Sequence, residues 1–164
     1  MTLEKLVLKA AKNKSFHDHL LLHYVDRENA MEKLYDEAIS DIIKLSYKGY
    51  KGRSDELREA NRLAACHKRI NEFGKTTKNR VLELDLTMNL LIEPFEKPAH
   101  NMFGTCFTKY DYRVSLLLKK AISLLKNLHK DYRIEYAPTI NGYLKIYHDK
   151  SGYSSGAYDL PDKI

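Results

Sequence analysis

Tryptophan is missing from the 164-residue chain, cysteine occurs twice, proline four times and glycine seven times. Each scarcity excludes something. Cys66 and Cys106 form no CxxC pair, so neither a disulfide framework nor a thiolate zinc cage is on offer, and a reduced, cytoplasmic setting is expected. No apolar run reaches bilayer length, so no membrane partner is expected. The opening stretch, MTLEKLVLKAAKNK, carries lysines and Glu4 where a secretory leader would carry an apolar core. Gly74-Lys75-Thr76 follows Phe73 and lacks the upstream glycine of a phosphate-binding loop, which argues against nucleotide-driven chemistry. Carboxylates, too, are missing from one stretch: none lies between Asp41 and Asp55.

What is there is basic and rich in tyrosine. A net charge of +6 and a pI near 9.1 favour polyanionic partners. With 43% apolar residues the chain has enough material for a core, and its length suits one domain. The abundance of lysine, tyrosine, isoleucine and asparagine fits an AT-rich genome, such as that of a phage or mobile element.

The first half reads as helices. Thr2 opens a short amphipathic piece and Ser15 a second, with Asp18 completing an acidic capping box. Asp26 caps a longer helix, running to about Tyr47 with a stripe of Ala30, Leu34, Tyr35, Ala38 and Ile42. Ser54 caps the next, which Gly74 ends. Beyond it, Leu82, Leu84, Leu86, Met88 and Leu90 alternate with polar residues, which predicts a strand, although propensity favours helix there. Asp111 caps a helix to Lys130. Tyr132–Ala137 and Tyr143–His148 then read as a hairpin closed by Asn141-Gly142. The expected fold is α+β, with an N-terminal helical layer packed with a small, mostly antiparallel sheet covered by a helix. It forms one domain over residues 1–150, helical over 1–74 and sheet-containing over 75–150, followed by a mobile tail, 151–164.

Two features point to nucleic acid. Tyr47-Lys48-Gly49-Tyr50-Lys51-Gly52-Arg53 places rings beside cations on a glycine-hinged loop, which suits phosphates and unpaired bases. The hairpin would turn Tyr143, Lys145 and Tyr147 outward as a stacking platform. Arg58, Arg62, Lys119, Lys126 and Lys130 would extend the basic footprint.

Other constellations offer less. His19 and His23, four apart on a helix with His17 nearby, supply two metal ligands and no third, so no metal site is assigned. Glu83 and Asp85 would share one side of a strand, where paired carboxylates hold Mg²⁺ for phosphodiester hydrolysis. Nothing at a diagnostic spacing supports them, so no catalytic residue and no cofactor is assigned. The sequence thus favours a non-enzymatic nucleic-acid-binding accessory protein. Its partner would be DNA or RNA, single-stranded or structured, and its helical layer would offer an oligomer contact. A protein-interaction regulator or inhibitor of a host enzyme, with an acidic host protein as partner, is the alternative, and a small metal-dependent nuclease or phosphoesterase the third reading.

Overall fold

The computed structural model describes residues 13–20, 27–105, 108–151 and 159–164. These form six α-helices and one 3-10 turn: α1 (Lys14–Leu20), α2 (Arg27–Tyr47), α3 (Asp55–Thr77), α4 (Arg80–Glu96), the turn Pro98–His100, α5 (Lys109–Lys126) and α6 (Lys130–Lys150). Among the described residues there is no strand, so the expected α+β fold, with its sheet, is wrong. No described helix is long and apolar enough to cross a membrane. The piece beginning at Thr2, the Asp26 cap, His23 and Cys106 lie outside the described residues, as does the His19 side chain.

Both strand predictions failed for physical reasons. Along residues 82–90, Leu84, Leu86, Thr87, Met88 and Leu90 are all buried and only Asn89 is exposed. An apolar residue on every side is also what a helix enclosed by other helices requires. Alternation over nine residues does not separate the two. In the second case the window was too short: Tyr132, Tyr136, Ile140, Tyr143, Leu144 and Tyr147 recur at helical spacing across the supposed turn. Pro138 sits inside α6 and removes a donor to the carbonyl of Ile134. Both residues are exposed, so this stretch of backbone lies on the solvent side of the helix.

Local chemistry sets the helix ends. Ser54 caps α3, its hydroxyl accepting from the Leu57 N–H at 3.2 Å. Gly74 does not end that helix. It lies within it, where a Cβ would meet the tip of the Glu83 side chain of α4 and that tip would have to shift. The stop comes at Lys78, a left-handed residue at φ 54° whose N–H donates to the Gly74 carbonyl. Asn79 then caps α4 by accepting from Val81 and Leu82.

Cross-links between helices fix their directions. Asp41–Arg69 and Ser46–Arg62 set α2 antiparallel to α3. Arg62–Glu93 and Asn71–Lys120–Glu83 set α4 antiparallel to α3. Asn61–Lys109 and Asn71–Lys120 make α5 parallel to α3. Tyr147–Asp111 and Arg133–Lys126 return α6 antiparallel to α5. The result is an up-and-down bundle with α3 and α5 at its centre. Leu63, Ile70, Leu84, Leu91, Leu117 and Leu118 are fully buried there. Each is worth about 1.5–3 kcal/mol of apolar transfer. The final residues dock on this frame: Leu160 is buried, and the Asn141 side chain exchanges two hydrogen bonds with the backbone of Ile164.

Candidate nucleic-acid interface

At one end of the bundle α2 hands over to α3 through residues 48–54. Lys48, Lys51 and Arg53 are exposed, and Tyr47 is 88% exposed. The backbone here is braced. The Asn61 amide donates to the Lys51 carbonyl at 2.9 Å, and Arg58 donates to the Gly52 carbonyl at 3.1 Å while pairing with Asp55. Gly52 eases this approach, because a Cβ would crowd the first turn of α3, 3.0 Å from the Arg58 backbone nitrogen. Lys109, held near Asn61 at 3.3 Å, brings a fourth exposed cation to the same end.

Tyr50 turns inward instead. Its hydroxyl is buried without a hydrogen-bond partner, in the field of Cys66 and Arg62, and burial raises its pKa. Beneath it lies a dense ionic network. Arg62 is 3% exposed. Its Nε donates to Glu59 at 2.8 Å, and Nη1 donates to Glu93 and, at 3.4 Å, to the Ser46 hydroxyl. Nη2 also lies 2.8 Å from Glu59, close but not aligned as a hydrogen bond. Burial works against the charge on Arg62, but Glu59 and Glu93 outweigh it and raise its pKa. His100 reaches Glu59 at 3.1 Å, and Lys97 lies 3.5 Å from Glu93. Beside this network a cleft of about 480 Å³ opens between α2 and α4. Ile39, Ile42, Leu86 and Leu90 form its apolar side, with Arg62, Glu93, Lys97 and His100 at its polar end. Ile43 and Tyr47 also line it.

The sequence-predicted residues divide. Tyr47, Lys48, Lys51 and Arg53 come together as an exposed group; Arg58 is half-exposed but engaged by Asp55. Arg62 is buried and belongs to the core. Tyr143 and Tyr147 are buried as well, because the hairpin that was to display them is helix. Tyr143 stacks on Phe95 at 4.4 Å and donates to Glu96. Tyr147 packs edge-on to Phe103 and donates to the Asp111 carbonyl at 3.0 Å. They are not a stacking platform. Lys145 is exposed on α6, and Lys119 pairs with Asp159 at 2.7 Å.

Lys126 and Lys130 occupy the opposite end, since Lys109 and Lys126 are separated by about 25 Å of helix. There they join exposed Lys75, Lys78, Arg80 and Arg133 at the ends of α3, α4 and α6. Sequence reasoning missed this second basic end and missed Lys109. The run Gly74-Lys75-Thr76-Thr77-Lys78-Asn79-Arg80, free of carboxylates, was the signal available.

Glu83 and Asp85 do not share a side. Two residues apart on a helix, they diverge by about 200°. Glu83 pairs with Lys120, while Asp85 accepts from Tyr35 and, at 3.1 Å, from Asn89. Among the described residues no three His, Cys, Asp or Glu side chains are placed to hold a metal ion. Comparison of the chain with protein-family models, curated proteins and solved structures found no match.

Proposed function

We propose that this chain is a non-enzymatic nucleic-acid-binding accessory protein that holds single-stranded or structured DNA or RNA on the α2–α3 loop. One observation carries the reading: Lys48, Lys51 and Arg53 are exposed together on a braced backbone beside the exposed ring of Tyr47, with no carboxylate between Asp41 and Asp55. Cations there attract phosphates, and a held loop loses little further freedom on binding. Tyr47 offers a face on which one base stacks. Lys109 extends the footprint, and the second basic end gives a longer strand another point of attachment. A reducing, cytoplasmic setting suits Cys66, a free buried thiol whose pKa burial raises.

The exposed pair Ile43 and Tyr47 favours a second reading, a regulator that docks on an acidic host protein.

Charge reversal tests the first reading. Lys48→Glu with Lys51→Glu should weaken oligonucleotide binding and reduce the slope of log K against log salt by about 1–2. Titrations at several salt concentrations measure this. An unchanged slope would remove the loop from the binding surface.

A further inference from the structure

The basic loop accounts for phosphates and leaves the neighbouring cleft unexplained. That cleft has features a phosphate site does not need. Its volume, about 480 Å³, lies within the range of small-ligand sites, roughly 300–1,000 Å³. Its apolar side is aliphatic and the end nearer the loop is polar. Ile43 is 51% exposed and Tyr47 88% exposed. They lie four residues apart on one face of α2, and both line the cleft. A nucleobase has complementary chemistry, with two apolar faces and one edge of donors and acceptors.

Charge complementarity selects this occupant. The loop cations begin at Lys48, next to Tyr47 in the chain. Lys97 lines the cleft from α4, its side chain 55% exposed. Cations on both sides of an apolar slot suit a base flanked by its own phosphates. The polar lining supplies donors and acceptors together: the Ser46 hydroxyl, the Asn89 amide and the Glu93 carboxylate. Arg62 holds Glu93 in place and its charge also acts on the inward-turned loop residue Tyr50, so cleft and loop are neighbours. We infer that the α2–α4 cleft receives a single nucleobase of the strand whose phosphates lie along residues 48–53. This inference rests on the nucleic-acid reading above.

The test separates the two. A single-stranded 12-mer is compared with the same 12-mer carrying abasic residues, so that the phosphates are unchanged. The intact strand should bind about ten-fold more tightly, with equal salt slopes for the two. Ile43→Asn, at an exposed position, should bring that ratio close to one while leaving the melting temperature and the salt slope in place. Equal binding of the two strands by the unaltered protein would overturn the cleft and leave the loop reading standing. Failure to bind either strand would overturn both. If the ratio survives Ile43→Asn but collapses in Tyr47→Ala, the base lies outside on Tyr47, and the cleft assignment falls. A dimer that Ile43→Asn dissociates would make the cleft a contact between copies, which also overturns it.

Discussion

Arg62 and Asp111 are both ionisable and both shut off from water, 3% and 1% exposed, at the same end of the bundle. They are accommodated in opposite ways. Arg62 is met by Glu59 and Glu93, and its charge is favoured despite its burial. Among the described residues Asp111 pairs with no cation. Its Oδ2 accepts from the Gly104 N–H at 3.2 Å, its Oδ1 finds no hydrogen-bond partner among them, and Glu56, another buried carboxylate, acts against its charge. Burial, assisted by Glu56 and opposed by the Gly104 bond, pushes the Asp111 carboxyl up to about 6. One centre is a charge met by opposite charges and the other a charge with none among the described residues. Deleting the charge should therefore change stability in opposite directions at the two sites.

Arg62→Ala should give the larger effect. It takes the shared guanidinium away from Glu59 and Glu93 and leaves them only His100 and Lys97. Breaking a buried pair in this way costs about 3–5 kcal/mol. Chemical denaturation at pH 7 measures it. A loss under about 1 kcal/mol would mean that water already compensates the network, and the contrast with Asp111 would disappear.

Asp111→Asn should act the other way. The substitution keeps an acceptor for the Gly104 N–H and removes a charge that burial disfavours. Stability at pH 7 should rise by about 1–3 kcal/mol, the lower end of that range if the first turn of α5 already favours the anion. A net loss would show that the carboxylate has a counter-charge and that the two centres are alike.

The same contrast marks what the sequence could reveal. Helix starts were legible where one side chain decides them: Ser54 caps α3 as its hydroxyl predicts, and the α2 stripe of Ala30, Leu34 and Ala38 is buried as its spacing predicts. In the 48–53 loop the exposure of Lys48, Lys51 and Arg53 was legible because nearby helices leave them uncovered, whereas the inward turn of Tyr50 was not. Partners that arrive from another helix were not. Arg62 lies among arginines spaced along one face and looks like a solvated residue until Glu93 arrives from α4. Asp111 looks like an N-cap until α6 packs over it, while Thr108 holds the cap position. Tyr143 and Tyr147 read as display residues because their own strand-like window fixed a phase that the longer helical period overrides. Gly74 read as a stop for want of any sign of the Glu83 carboxylate that packs against it from α4.

The subtlest test of the contrast uses a third group. His67 lies on α3 facing α5, and burial, with Lys120 and Arg113 beside it, lowers its imidazole to about 4 from an ordinary 6.5. Between pH 6.5 and 4 the unfolded chain therefore binds more protons at His67, so stability falls on acidification, by about 2–3 kcal/mol in total. Asp111 does the reverse. Its folded value of about 6 lies above its ordinary 3.8, so between pH 6 and 4 the folded chain binds more protons and stability rises on acidification by a similar amount. Summed, the two slopes nearly cancel, and the unaltered protein should gain or lose little from this pair between pH 6 and 4. Each single variant uncovers the other slope. Asp111→Asn should become acid-sensitive across that window, whereas His67→Gln should gain stability as the pH falls. The double variant should be nearly flat again. Denaturation midpoints at pH 6, 5 and 4 for the four proteins provide the measurement. If Asp111→Asn keeps the pH profile of the unaltered chain, a proton or a counter-charge already neutralises the Asp111 carboxylate, and the comparison with Arg62 no longer separates a paired site from an unpaired one.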